Sequence, residues 1–202
     1  MEFAKRMRGV AAFSMAMLIG CGLTVPLAHA EYIVNLVQQG NDVIATGSGT
    51  LDLAALTLTC SSGCSTNGGI NPMLASIGIG PAFSVPSRFY SGFTGPASFG
   101  IGDFTPVSGG SGDTVAFDGT FNILSVPLDY VSGNALSGDS IYNDQTFESL
   151  GVTPGTYVWT WGTGATADSI TMNVGAVPEP SSLALLSLPL GLVLRLTARR
   201  RL

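Results

Sequence analysis

Thr153-Pro154-Gly155-Thr156-Tyr157-Val158-Trp159-Thr160-Trp161 decides the fold class of this chain. Successive side chains of a strand point to opposite faces, so Tyr157, Trp159 and Trp161 share one face and Val158 and Thr160 the other. Pro at the second position and Gly at the third of Thr153-Pro154-Gly155-Thr156 predict a type II turn entering this strand. After the break at Gly162-Thr163-Gly164, Ile170, Met172 and Val174 alternate again across residues 169–174. The two runs read as a terminal β-hairpin.

Outward from this hairpin the same signals recur. Residues 32–37 read as a strand, Gln39-Gly40-Asn41-Asp42 as a turn, and residues 43–53 as the hairpin partner. Residues 71–79 are expected to hold a short helical turn. Residues 81–104 scatter Phe83, Phe89, Tyr90, Phe93, Phe99 and Phe104 among Gly and Pro, which suits short, bulged strands. Residues 114–117 and 121–126 follow as strands about a turn at Asp118-Gly119, with Pro127 limiting the second. Neither end of the stretch 31–176 shows an apolar stripe of helical period longer than about two turns. The expected fold is therefore all-β, an antiparallel β-sandwich of jelly-roll type spanning residues 31–176.

The chain's mean hydropathy of +0.42 is raised by its two apolar ends. Between them, Arg88 is the sole basic residue against eleven acidic ones, a formal charge of −10. A basic patch cannot be assembled there, so nucleic acid is excluded as a partner. His29 is the only histidine and lies in the leader, and residues 31–176 contain no lysine. Ser-His-Asp and Cys-His catalysis, Schiff-base chemistry and His-ligated metals are therefore unavailable, leaving carboxylates as the only common catalytic groups. Two such groups held ~5–10 Å apart across a sugar cleft would make a hydrolase. Asp103, Asp113, Asp118, Asp139, Asp144 and Asp168 lie in Gly-rich stretches, but none follows the spacing of a calcium loop. No metal or cofactor is expected.

Cys60 and Cys64 flank Ser61-Ser62-Gly63. An exported chain reaches an oxidising space, no neighbouring cation lowers a thiol pKa, and the three-residue spacing is not that of a redox site. A structural disulfide closing a surface loop is expected. The Tyr157, Trp159 and Trp161 row has two readings: core, or a platform on which sugar rings stack.

The ends carry processing signals. Lys5, Arg6 and Arg8 precede an apolar run, and Ala28-His29-Ala30 places small residues where signal peptidase reads, giving a signal peptide over residues 1–30. Leu18-Ile19-Gly20-Cys21 also fits a lipoprotein box, in which Cys21 would be acylated. At the other end, Val177-Pro178-Glu179-Pro180-Ser181-Ser182 opens residues 177–202, an uncharged Leu-rich segment follows, and Arg195, Arg199, Arg200 and Arg201 close it. Proline biases the triplet toward extended, accessible backbone. The apolar segment suits a transmembrane helix, with the arginines as a cytoplasmic stop.

This tail resembles the PEP-CTERM sorting signal of Gram-negative bacteria, and the resemblance implies processing by an exosortase at the Pro-Glu-Pro motif. Residues 45–51, 130–138, 153–164 and 167–169 also resemble the bodies of PEP-CTERM proteins, which carry no assigned chemistry to transfer. The resemblance implies an exported protein without catalytic activity. It would be anchored transiently in the inner membrane, then reside at the cell surface or in a biofilm matrix of exopolysaccharide. A glycan-binding module and a carboxylate hydrolase are the alternatives.

Overall fold

The computed structural model describes residues 31–175. Signal peptide, Cys21, Pro-Glu-Pro motif, transmembrane segment and terminal arginines all lie outside the described residues. Among the described residues thirteen strands form two sheets. In chain order they are β1 (Glu31–Gln39), β2 (Asp42–Thr50), β3 (Thr57–Thr66), β4 (Gly69–Asn71), β5 (Ser76–Ile79), β6 (Val85–Ser91) and β7 (Thr105–Pro106), then β8 (Gly109–Gly112), β9 (Val115–Asp118), β10 (Ile123–Pro127), β11 (Ala135–Tyr142), β12 (Gly155–Trp161) and β13 (Asp168–Val174). The first sheet runs β12-β13-β1-β2-β11-β8 and the second β3-β6-β10-β9-β5-β4-β7. Among the described residues the longest α-helix is the single turn α1 (Phe147–Leu150), capped by the Thr146 hydroxyl, which accepts from Ser149 N–H.

Alternation in the sequence becomes inside and outside in the sheets. Tyr32, Val34 and Leu36 of β1, Ile170, Met172 and Val174 of β13, and Trp159 and Trp161 of β12 all point inward. From the opposing sheet Ile70, Ile77, Phe117, Leu124 and Val126 meet them in one apolar core. The Phe117 and Trp159 rings are 4.5 Å apart at their centroids, joining the two sheets at mid-core. A polar tie joins them at one margin, where the buried Ser140 hydroxyl of β11 accepts from Gly80 N–H at 3.0 Å and donates to Gly80 carbonyl at 3.0 Å.

Both expected hairpins form. β1 and β2 pair from Gln39↔Asp42 onward, with Gly40 at φ 63° supplying the left-handed turn position. β12 and β13 pair with Trp159 opposite Ile170. The expected short helical turn is a 3₁₀ turn at Pro72–Leu74, between β4 and β5.

Four details differ from expectation. The pairing is not wholly antiparallel, because β1 and β13 run parallel, Glu31↔Ser169 through Leu36↔Val174. The first and last of the described strands therefore lie side by side inside one sheet. No type II turn precedes β12: Gly155 has φ 158° and already pairs with Val174, so Pro154 leads in on extended backbone. β2 ends at Thr50, because Tyr130 and Ser132 capture the next backbone groups. The Tyr130 hydroxyl accepts from Leu51 N–H at 2.9 Å and the Ser132 hydroxyl from Leu53 N–H at 2.9 Å. Lastly, the two cysteines sit in a strand and not in a loop.

Candidate functional site

The aromatic row on β12 is core. Trp159 is fully buried and Trp161 is 4% exposed, and each indole N–H is spent on backbone: Trp159 on Pro96 carbonyl at 2.9 Å, Trp161 on Asp52 carbonyl at 2.7 Å. Gly95 and Gly119 lie against the Trp159 indole where any Cβ would collide. Half-buried Tyr157 packs on Phe99 and donates to Thr153 carbonyl. The stacking platform is therefore excluded at Trp159 and Trp161, because no sugar ring can reach their faces.

Cys60 and Cys64 are joined, with Cα atoms 6.4 Å apart. They belong to β3, the outermost strand of its sheet, where Cys60 opposes Phe89 and Cys64 opposes Ser87. Four steps along β3 thus match two along β6, and the bridge clamps the surplus as a bulge. Bulged edges resist pairing with another chain.

The carboxylates disperse. Among the described residues no three Asp, Glu, Cys or His side chains gather as a metal would require. Asp168 is 4% exposed, and its carboxylate accepts from Asp52 N–H at 2.5 Å and Ser169 N–H at 2.6 Å. Burial pushes its pKa up to about 6, helped by the charges of Asp52 and Glu31, while the two backbone N–H groups pull the other way. This buried carboxyl ties the end of β2 to the start of β13. Asp113 and Asp129 line one hollow of about 240 Å³ with Asn134, where the Asp113 carboxylate also accepts from Ser137 N–H.

The most ordered chemical pattern is on the outer face of the six-stranded sheet. The registers align Thr156, Asn173, Asn35, Thr46, Asp139 and Ser111 in one row, one residue per strand across all six. Three of the five neighbouring pairs in the row bond side chain to side chain. Thr156 Oγ1 donates to Asn173 Oδ1 at 3.0 Å, Asn173 Nδ2 to Asn35 Oδ1 at 3.1 Å, and Ser111 Oγ to Asp139 Oδ1. At the β8 end the row opens into a hollow of about 360 Å³ walled by Thr46, Ser111, Ser137 and Asp139. Its floor is the backbone of Gly47, Gly138 and Gly112, three residues in register on β2, β11 and β8. Beneath Gly47 lies the Tyr32 ring, whose hydroxyl occupies the place a Cβ would take. Burial raises the Tyr32 pKa, and the charge on Asp113 adds to the shift.

Of this face, residue type alone singles out only Asp139. The alternating Thr46-x-Ser48-x-Thr50, Ser137-x-Asp139 and Thr171-x-Asn173 patterns signal outward polar positions, but which of them stand abreast depends on register. No family model, curated protein or solved structure matches the chain.

Proposed function

We propose that the chain is an exported surface or extracellular-matrix protein without catalytic activity, associated with exopolysaccharide, and that an exosortase processes it at Pro178-Glu179-Pro180. The observation that carries this reading is the fixed order of triplet, uncharged Leu-rich segment and terminal arginines. The body is compatible with that handling. Core strand β13 ends at Val174, before the triplet, and β1 starts at Glu31, just after Ala30. Cleavage at either signal would spare every core strand. A jelly-roll-like sandwich is the type we assign to this body.

In the source cells, changing Pro178-Glu179-Pro180 to alanines is expected to leave a full-length, membrane-bound form, whereas the unaltered chain loses its tail and leaves the inner membrane. Identical mass and fractionation of the two would overturn the proposal. A second reading, carboxylate hydrolysis, draws support from Asp113 and Asp129 lining one hollow. Release of products from exopolysaccharide, abolished by Asp129→Asn, would establish it in place of the first.

A further inference from the structure

We infer that the outer face of the six-stranded sheet binds a neutral, extended chain of hexopyranose rings, anchored in the hollow walled by Thr46, Ser111, Ser137 and Asp139. This deepens the matrix reading, on which its biological setting rests, by naming a binding site from the chemistry, geometry and charge of the face.

The first argument is chemical. A sugar presents hydroxyl groups, each a donor and an acceptor, so its receptor needs both kinds in a fixed array. The hollow offers three hydroxyls and one carboxylate. Ser111 Oγ occupies Oδ1 of Asp139, which holds the carboxylate in place and leaves Oδ2 as a strong acceptor for a sugar O–H. At about 360 Å³ the hollow lies in the size range of small-molecule sites.

The second argument is geometric. Beyond the hollow the row continues through Asn35, Asn173 and Thr156 to the far margin of the sheet, one polar side chain per strand. Strands are spaced ~4.8 Å apart, so the track repeats at a step close to that of successive rings in an extended β-1,4-linked glycan. Five gaps make it roughly 24 Å long, enough for four or five rings crossing the strands at right angles. Side-chain bonds within the row fix the amide orientations before a ligand arrives, which lowers the entropy lost on binding.

The third argument is electrostatic and selects the charge of the ligand. The body carries one cation, Arg88, on β6 of the other sheet, against eleven carboxylates. An anionic glycan would be repelled from a face whose anchor is itself a carboxylate. A neutral one loses nothing.

The test is an NMR titration of the ¹⁵N-labelled full chain in detergent, using cellohexaose as the neutral ribbon and hexagalacturonic acid as its anionic counterpart. Cellohexaose is expected to shift amides of Thr46, Ser111, Ser137 and Asp139 first and those of Asn35 and Asn173 with them, while hexagalacturonic acid shifts none. Asp139→Ala should weaken the binding at least tenfold, and Asn35→Ala severalfold. Should Asp139→Ala fail to fold, Thr46→Ala and Ser137→Ala, both at exposed positions, take its place. Absence of shifts with cellohexaose, shifts confined to other surfaces, or affinity indifferent to these substitutions would overturn the inference. Loss of this binding with normal tail processing would sink the inference alone. Binding without tail processing would sink the matrix proposal and leave the site standing.

Discussion

Trp159 shows how one side chain can hold two sheets. It sits on β12, meets Phe117 of the opposite sheet, and spends its only polar atom on Pro96 carbonyl. Trp159→Ala would open a large cavity at the junction and orphan that carbonyl, so a loss of about 3–5 kcal/mol is expected in urea denaturation. A loss below about 1 kcal/mol would show that the sheets do not depend on it. Asp168 sets a dependence on pH. Its folded pKa of about 6 lies above the ~3.9 of an unfolded aspartate, so between these values the folded chain binds more protons than the unfolded one. Stability contributed by the protonated carboxyl is full below about pH 4 and declines as pH rises through about 6. Urea midpoints should therefore fall from pH 4.5 to 7.5, and Asp168→Asn should flatten that slope. An unchanged slope in the variant would assign the trend to other carboxylates.

At the scale of elements, hairpins were legible and the bulged edge was not. Gly40-Asn41 and the alternating runs around it specify β1 and β2 locally, because a tight turn fixes register between neighbours in sequence. The same local logic specifies β12 and β13 but not the backbone that leads into them. Pro154 and Gly155 favour a type II turn in isolation, but pairing of Gly155 with Val174 holds the backbone extended. Cys60 and Cys64 looked like loop residues because Ser61-Ser62-Gly63 has turn composition, yet Phe89 and Ser87 of β6 recruit both cysteines into a strand. The disulfide then stabilises a bulge. Replacing both cysteines by serine should cost roughly 0–3 kcal/mol, small because the closed loop is short, with far-UV circular dichroism unchanged. Dissolution of the whole β signal would mean that the bridge holds more than the edge.

The whole molecule is closed by its two end strands. β13 lies between β12 and β1, and its parallel pairing with β1 joins residues separated by nearly the whole body. Contacts of such separation form late and at a high entropic cost. A chain ending at Ala167 should fail to fold, and one ending at Gly175 should fold like the full chain; proteolysis and thermal melts would separate the two. A folded product lacking β13 would contradict this account. The parallel pair also sets where the ends emerge, since Glu31 and Val174 lie about five residues apart along it, roughly 17 Å. By itself the sequence determined the all-β class, which side chains share a face on β12 and on β13, both hairpins and the charge of the body. These follow from period-two alternation, turn chemistry and residue type, which act within a few residues. Only the tertiary structure decided that Trp159 and Trp161 are core and not a sugar platform, that the first and last strands pair in parallel, and that six polar residues stand abreast on one face. Each of these depends on register between distant strands, and register is settled by burying the common core, not by any local preference.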